Sequence, residues 1–221
     1  MQRQIKDRFK GVFWVFFVSF AAFAAFPTPS SGATAETFYE NALRRNGINA
    51  FAATCQSAHE TGFWTSSLWR NANNGAGIKA DKNWIRAGRP TVRKKSQEVV
   101  GGKWTTRESL FRVYSSLDDF LDDYNRKICR DYPLASKNRD TTWGYFSALQ
   151  KGRHGAWATS HTYFERMADK AIRLAPQLLG FDWRMQLLYD YKKAKARGLL
   201  SKKEIAIIRK KLAADEKDST R

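Results

Sequence analysis

The chain is poor in the residues that build metal and redox centres. It has two cysteines and three histidines in 221 residues. The cysteines, Cys55 and Cys129, stand 74 positions apart with no C-x-x-C, which excludes a zinc knuckle and a thioredoxin-type site. His59 and His161 are scattered and lack a defined acidic partner, so no metal and no other cofactor is expected. Acidic residues are also scarce: 21 Asp and Glu face 39 Lys and Arg, a formal charge of +18. Basic charge often serves nucleic acid, but no nucleic-acid motif is present and none is expected to bind. An anionic cell envelope explains the charge equally well.

What is present begins with sixteen uncharged residues, Gly11–Phe26. Arg3, Lys6, Arg8 and Lys10 precede them, and Pro27 with a small-polar stretch follows. Basic, apolar, small-polar is the order of a secretory signal or signal anchor. At about 1.5 Å per residue the run reaches ~24 Å, slightly short of a ~30 Å hydrocarbon core. The expectation is an N-terminal hydrophobic helix, residues 1–32, that contacts the membrane through 11–26. It would be an anchor or a cleaved signal, with the remainder outside the cytoplasm. There a Cys55–Cys129 disulfide is permitted; two buried thiols are the alternative.

Residues 33–180 read as one compact, mainly helical domain. Ala35–Arg45 is amphipathic and ends at Asn46–Gly47. Asn49 is a good N-cap for a second helix ending near Gly62, with Phe51, Cys55 and Ala58 on one side. Residues 63–80 lack periodicity and read as a loop. Residues 84–113 alternate polar and apolar around Gly88, Pro90 and Gly101–Gly102, as a small antiparallel sheet does. Ser115 or Ser116 caps a helix with Leu117, Phe120, Leu121, Tyr124 and Ile128 inside. Helices follow at 143–150 and 161–175, the last stopped by Pro176. Residues 181–221 form a separate unit, a basic helical hairpin broken at Gly198, with Ser201 and Glu204 spaced as a capping box. Neither helix is long enough to stand alone. The hairpin carries twelve Lys/Arg against six Asp/Glu, so it either docks to a protein partner or an anionic surface or packs on the core and covers the back of the domain.

The strongest chemical candidate is Glu60. It falls at the C-terminal end of its helix, where the dipole disfavours a carboxylate, and directly before Thr61-Gly62-Phe63-Trp64. Both the dipole and aromatic desolvation raise its pKa and suit it to general-acid work on a glycosidic bond. Trp64, Trp69, Trp84, Trp104 and Trp157, with Asn71, Asn73 and Asn74, offer flat faces and amides for sugars. Core packing accounts for at least two of these tryptophans.

His59-Glu60-Thr61-Gly62-Phe63-Trp64, then Asn73-Asn74-Gly75-Ala76-Gly77-Ile78-Lys79-Ala80, then Phe111-Arg112-Val113-Tyr114-Ser115-Ser116 resembles the bacterial peptidoglycan glucosaminidase family. That family includes autolysin and flagellar muramidase-like domains. Three motifs in the right order cover about residues 35–176. The resemblance implies a lysozyme-like fold with a small antiparallel β lobe and cleavage of the β-1,4 bonds of peptidoglycan glycan strands. It makes Glu60 the catalytic acid. It assigns Glu98 to the second glutamate, four residues before Gly102 and thirteen before Phe111. Asn73, Asn74 and Lys79 fall in the loop that shapes the cleft floor, and Trp64, Trp69 and Trp84 join the candidate sugar-binding residues. Trp157-Ala158-Thr159-Ser160-His161-Thr162-Tyr163 stands where the family has Y-A-T-D-P-x-Y. Trp157 thus replaces a cleft tyrosine, and Tyr163 is retained.

Overall fold

The computed structural model describes residues 34–100 and 103–218, without the side chains of 96–100, 103, 104, 107 and 214–218. The expected membrane segment 11–26 lies outside the described residues. Among the described residues no helix is long and apolar enough to cross a membrane. The membrane partner and membrane-anchored location expected from the sequence find no support among the described residues and are not carried further.

The body is a set of helices around one aromatic-rich core. Helix α1, Ala35–Ala42, starts at Thr34, whose hydroxyl accepts the Thr37 amide. Helix α2, Ala50–Thr61, is the central element: the Asn49 side chain accepts from the Ala52 amide at 2.8 Å, and nine of its twelve residues are buried. Residues 63–80, expected to be a loop, contain the short helix α3, Ser67–Ala72, and α4 follows at Lys82–Arg86. Strands β1, Thr91–Val100, and β2, Lys103–Arg112, form a two-stranded antiparallel hairpin in which Thr91 pairs with Arg112 and Glu98 with Thr105. Helix α5, Leu117–Asp131, is capped by Ser116, and α6, Pro133–Lys137, turns the chain into α7, Thr142–Leu149, all eight of whose residues are buried. Helix α8, Tyr163–Leu179, packs along α1 and α2 and runs on past Pro176. The proline removes one helical N–H but leaves the last turn in place.

The root of the β hairpin is welded to the body by polar groups. Arg112 is buried and forms ion pairs at 2.6 Å with Asp123 of α5 and with Asp81. Its Nε donates to the Lys79 carbonyl, and the Tyr114 hydroxyl donates to Asp123 at 2.8 Å. Asn74 donates to the Ile78 and Arg112 carbonyls and accepts the Ile78 amide. Gly75 lets this loop approach α2, because an added Cβ would lie 2.8 Å from Ser57 Oγ and 2.9 Å from the Phe120 ring. A buried charge is tolerated only with such partners. The F-R-x-Y and N-N motifs are therefore scaffolding for the root of the hairpin.

The C-terminal helices α9, Trp183–Ala196, and α10, Lys202–Asp218, share the core of the body. Trp183, Leu187, Tyr191, Ala194 and Ile208 are buried. The Trp143 indole donates to the Leu187 carbonyl at 3.0 Å, and Asp190 accepts the Thr142 and Trp143 amides at the start of α7. Burial raises the Asp190 carboxyl to about 6. The expected Ser201–Glu204 capping box forms, each side chain accepting the other's amide. Of the two expected placements, docking element or cover for the back of the domain, the structure has the second: these helices cover the back of the body, and α7 depends on one of them for its cap.

Candidate active site

Helix α2 ends abruptly. The Phe63 amide returns to the Ala58 carbonyl at 2.7 Å, and Gly62, Phe63 and Trp64 all take positive φ, at 59°, 57° and 61°. A left-handed backbone costs an ordinary residue about 1–2 kcal/mol, so two side-chain-bearing residues here are strained. Trp64 is held against that strain by burial, by its amide on Thr61 Oγ1 and by its indole on Ser57 Oγ at 3.0 Å. The stop leaves Glu60 on the final turn of a rigid helix.

Glu60 is exposed as a residue, yet protein packs closely around its carboxyl. Loss of hydration raises its carboxyl to about 7, and one hydrogen bond opposes the rise: the Trp157 indole N–H donates to Glu60 Oε1 at 3.2 Å. Trp157 is half-buried on the loop after α7, its amide tied to the Leu149 carbonyl at 2.9 Å. Tyr132 and Tyr124 hold the indole ring at centroid distances of 5.2 and 5.9 Å. The tryptophan expected to stack on sugar is thus also the partner of the acid.

Behind Glu60 lies a buried polar chain. Gln56, one helical turn before Glu60, donates to the Tyr163 hydroxyl at 2.8 Å and accepts from Tyr124, which lies 3.0 Å from the Tyr145 hydroxyl. Burial pushes all three phenols up, so none ionises near neutrality. Tyr163 was expected from its motif position. Gln56, Tyr124 and Tyr145 were missed; the i, i+4 spacing of Gln56 and Glu60 was the available signal.

The other candidates separate. Trp69 and Trp84 are buried, as is Trp64, with their rings against Phe38, Phe120 and Tyr114. Their faces are covered, so their assignment to sugar is corrected to core. Asn73 and Asn74 are buried, Asn73 donating to the Tyr114 carbonyl at 3.0 Å, and are likewise structural. Lys79 is exposed at the hairpin root, where its backbone bridges to Phe111. Glu98 is on β1, and its side chain lies outside the described residues, as does that of Trp104. Cys55 and Cys129 are free: the first is sealed in the core, and the second is exposed beside Ser136, at 3.5 Å. The expected disulfide is therefore withdrawn. Among the described residues no His, Cys, Asp and Glu cluster to hold a metal.

A desolvated glutamate at a helix end, clamped by an indole and backed by neutral phenols, has the chemistry a general acid needs, and it sits in the lysozyme-like fold of a glycoside hydrolase. The chain belongs to the glucosaminidase family, described as mannosyl-glycoprotein endo-beta-N-acetylglucosaminidase, which matches residues 36–176. A mutant peptidoglycan hydrolase from Sphingomonas sp. A1 is similar in structure, with TM-score 0.51 and 25% identity over 69% of this chain and 95% of that one. The catalytic domain of the Listeria monocytogenes autolysin Auto is similar at TM-score 0.50 and 22% identity, over 64% of this chain and 85% of that one. No curated protein matches the chain.

Proposed function

We propose that the protein is a peptidoglycan hydrolase that cleaves β-1,4 bonds of wall glycan as an endo-β-N-acetylglucosaminidase. The observation that carries this reading is Glu60, raised to about 7 by burial at the end of α2 and oriented by Trp157. Near neutrality such a carboxyl holds a proton to give to the leaving glycosidic oxygen, and donating it leaves a carboxylate that the Trp157 N–H steadies. The oxocarbenium-like centre then needs support from the opposite face. Glu98 on the β hairpin is the second carboxylate of this reading, acting on water or on developing positive charge. A wide carboxylate separation suits a water between them, and a narrow one a covalent intermediate. With Glu98 held further off, the substrate's N-acetyl oxygen takes the nucleophile's place. The family match and the likeness to a peptidoglycan hydrolase support the substrate, and a wall substrate calls for work outside the cytoplasmic membrane.

Mass spectrometry of fragments released from purified peptidoglycan tests the reading. New N-acetylglucosamine reducing ends are expected. Reducing-end N-acetylmuramic acid would reassign the protein as a muramidase, and 1,6-anhydro ends as a transglycosylase. Failure to release any fragment would overturn hydrolysis altogether.

A further inference from the structure

Helix α8 carries Arg166, Lys170 and Arg173, spaced four and three residues apart and so on one face. That face looks onto the end of α2. The Arg173 guanidinium carbon lies 4.2 Å from the centroid of the Phe63 ring and Lys170 Nζ lies 5.2 Å from it. Arg166 and Lys170 are near enough to His59 to add to the burial that holds its imidazole below the usual range. Like charges at this spacing repel. Among the described residues none of the three forms an ion pair, while Asp169 of the same helix pairs with Lys211 of α10. A guanidinium stacked on a ring keeps its in-plane N–H groups for other acceptors. Phe63, presented by the left-handed turn, therefore steadies the cations without neutralising them. The causes of the Glu60 shift are burial and the Trp157 bond, and the cationic row is not among them.

We propose that Arg166, Lys170 and Arg173 form an anion subsite for the carboxylates of the stem peptide borne by the muramic acid next to the scissile bond. The inference rests on the peptidoglycan reading above. It makes a peptide-bearing glycan the preferred ligand and a peptide-free strand a poor one. Aligned guanidinium and ammonium groups suit carboxylates, and three such pairs, with Arg166 and Arg173 exposed and Lys170 half-buried, together give a preference of about tenfold. Added salt should erode that preference.

Binding is measured with full-length Glu60→Gln protein, so that turnover does not interfere. Soluble glycan fragments are offered with their peptides and after enzymatic removal of the peptides. The peptide-bearing form is expected to bind about tenfold tighter. Adding Arg166→Gln, Lys170→Gln and Arg173→Gln should bring the two affinities together, with the melting temperature checked as a folding control. Equal affinities before the change, or a preference surviving it, would overturn the subsite. So would a loss confined to a phosphate-bearing wall polymer, because the row would then serve a different anion. Should the triple change unfold the chain, Arg173→Gln alone gives the same readout at smaller amplitude. Binding of neither form would strike the peptidoglycan reading itself, which separates the two failures.

Discussion

The body of the molecule holds Glu60 on a twelve-residue helix that is buried for most of its length, capped at both ends and backed by α8. The hairpin that carries Glu98 is two ten-residue strands fixed to the body at one end. Its described outer positions, among them Arg93, Lys95, Thr105, Thr106 and Glu108, are exposed. A two-stranded ribbon is marginal by itself, so its attitude depends on the Arg112 root. The difference separates two requirements of acid-catalysed glycoside cleavage. The proton donor needs fixed surroundings, because its pKa is made by packing. The partner across the bond needs only to be brought within reach of it.

Four changes, giving five predictions, test this contrast. Glu60→Gln should show the largest effect, a loss of about 10²–10⁴-fold in kcat on purified peptidoglycan with the fold retained; undiminished turnover would remove Glu60 from the chemistry. Next, Asp123→Ala leaves the buried Arg112 without one of its carboxylates and should cost about 3–5 kcal/mol in denaturant unfolding. A change below 1 kcal/mol would show that Asp81 alone secures the root. Glu98→Gln should reduce kcat less than Glu60→Gln if the N-acetyl group is the nucleophile, and as much if Glu98 is an obligatory base; no change at all would dismiss Glu98.

Trp157→Phe keeps a ring but removes the hydrogen bond to Glu60. That bond lowers the Glu60 pKa, so its loss should raise the pKa and carry the alkaline limb of the rate profile, near pH 7 in the parent, upward. A limb that stays in place would show that the indole does not tune the acid. The smallest effect concerns stability. Glu60 has a raised folded pKa, so its stabilising contribution is complete below about 4.5 and lost as pH rises through about 7. Glu60→Gln should therefore melt higher than the parent at pH 8, and the difference should close by pH 5. A constant offset across that range would exclude the linkage.

Much of the body was legible because its signals are local. Asn49 and Gly62 bracket α2, Ser116 opens α5, and the apolar positions of α5 and α8 recur at helical spacing. Helices α3 and α4 escaped because six and five residues are too few to show a period. The tryptophans escaped for another reason. A sequence gives the number of aromatic rings but not which faces are covered, so Trp69 in the core and Trp157 beside the acid look alike. Cys55 and Cys129 show the same limit, since helical position does not fix where a sulfur points. At the site, Glu60 could be read from its place at a helix end, whereas the roles of Gln56, Tyr124 and Tyr145 needed three elements to meet.

The hydroxyl chain behind Glu60 has a direction. Tyr124 spends its only hydrogen on Gln56, so the bond between Tyr124 and Tyr145 must be donated by Tyr145. Gln56 in turn donates to the Tyr163 oxygen. Every hydrogen in the series then points the same way, and the last one, on Tyr163, is left uncommitted. Turning the Gln56 amide over would reverse the whole series without breaking it, because each hydroxyl can donate or accept. The oxygens and nitrogens behind Glu60 thus stay in place whichever way the hydrogens run, so the wall can change its polarity without changing its shape.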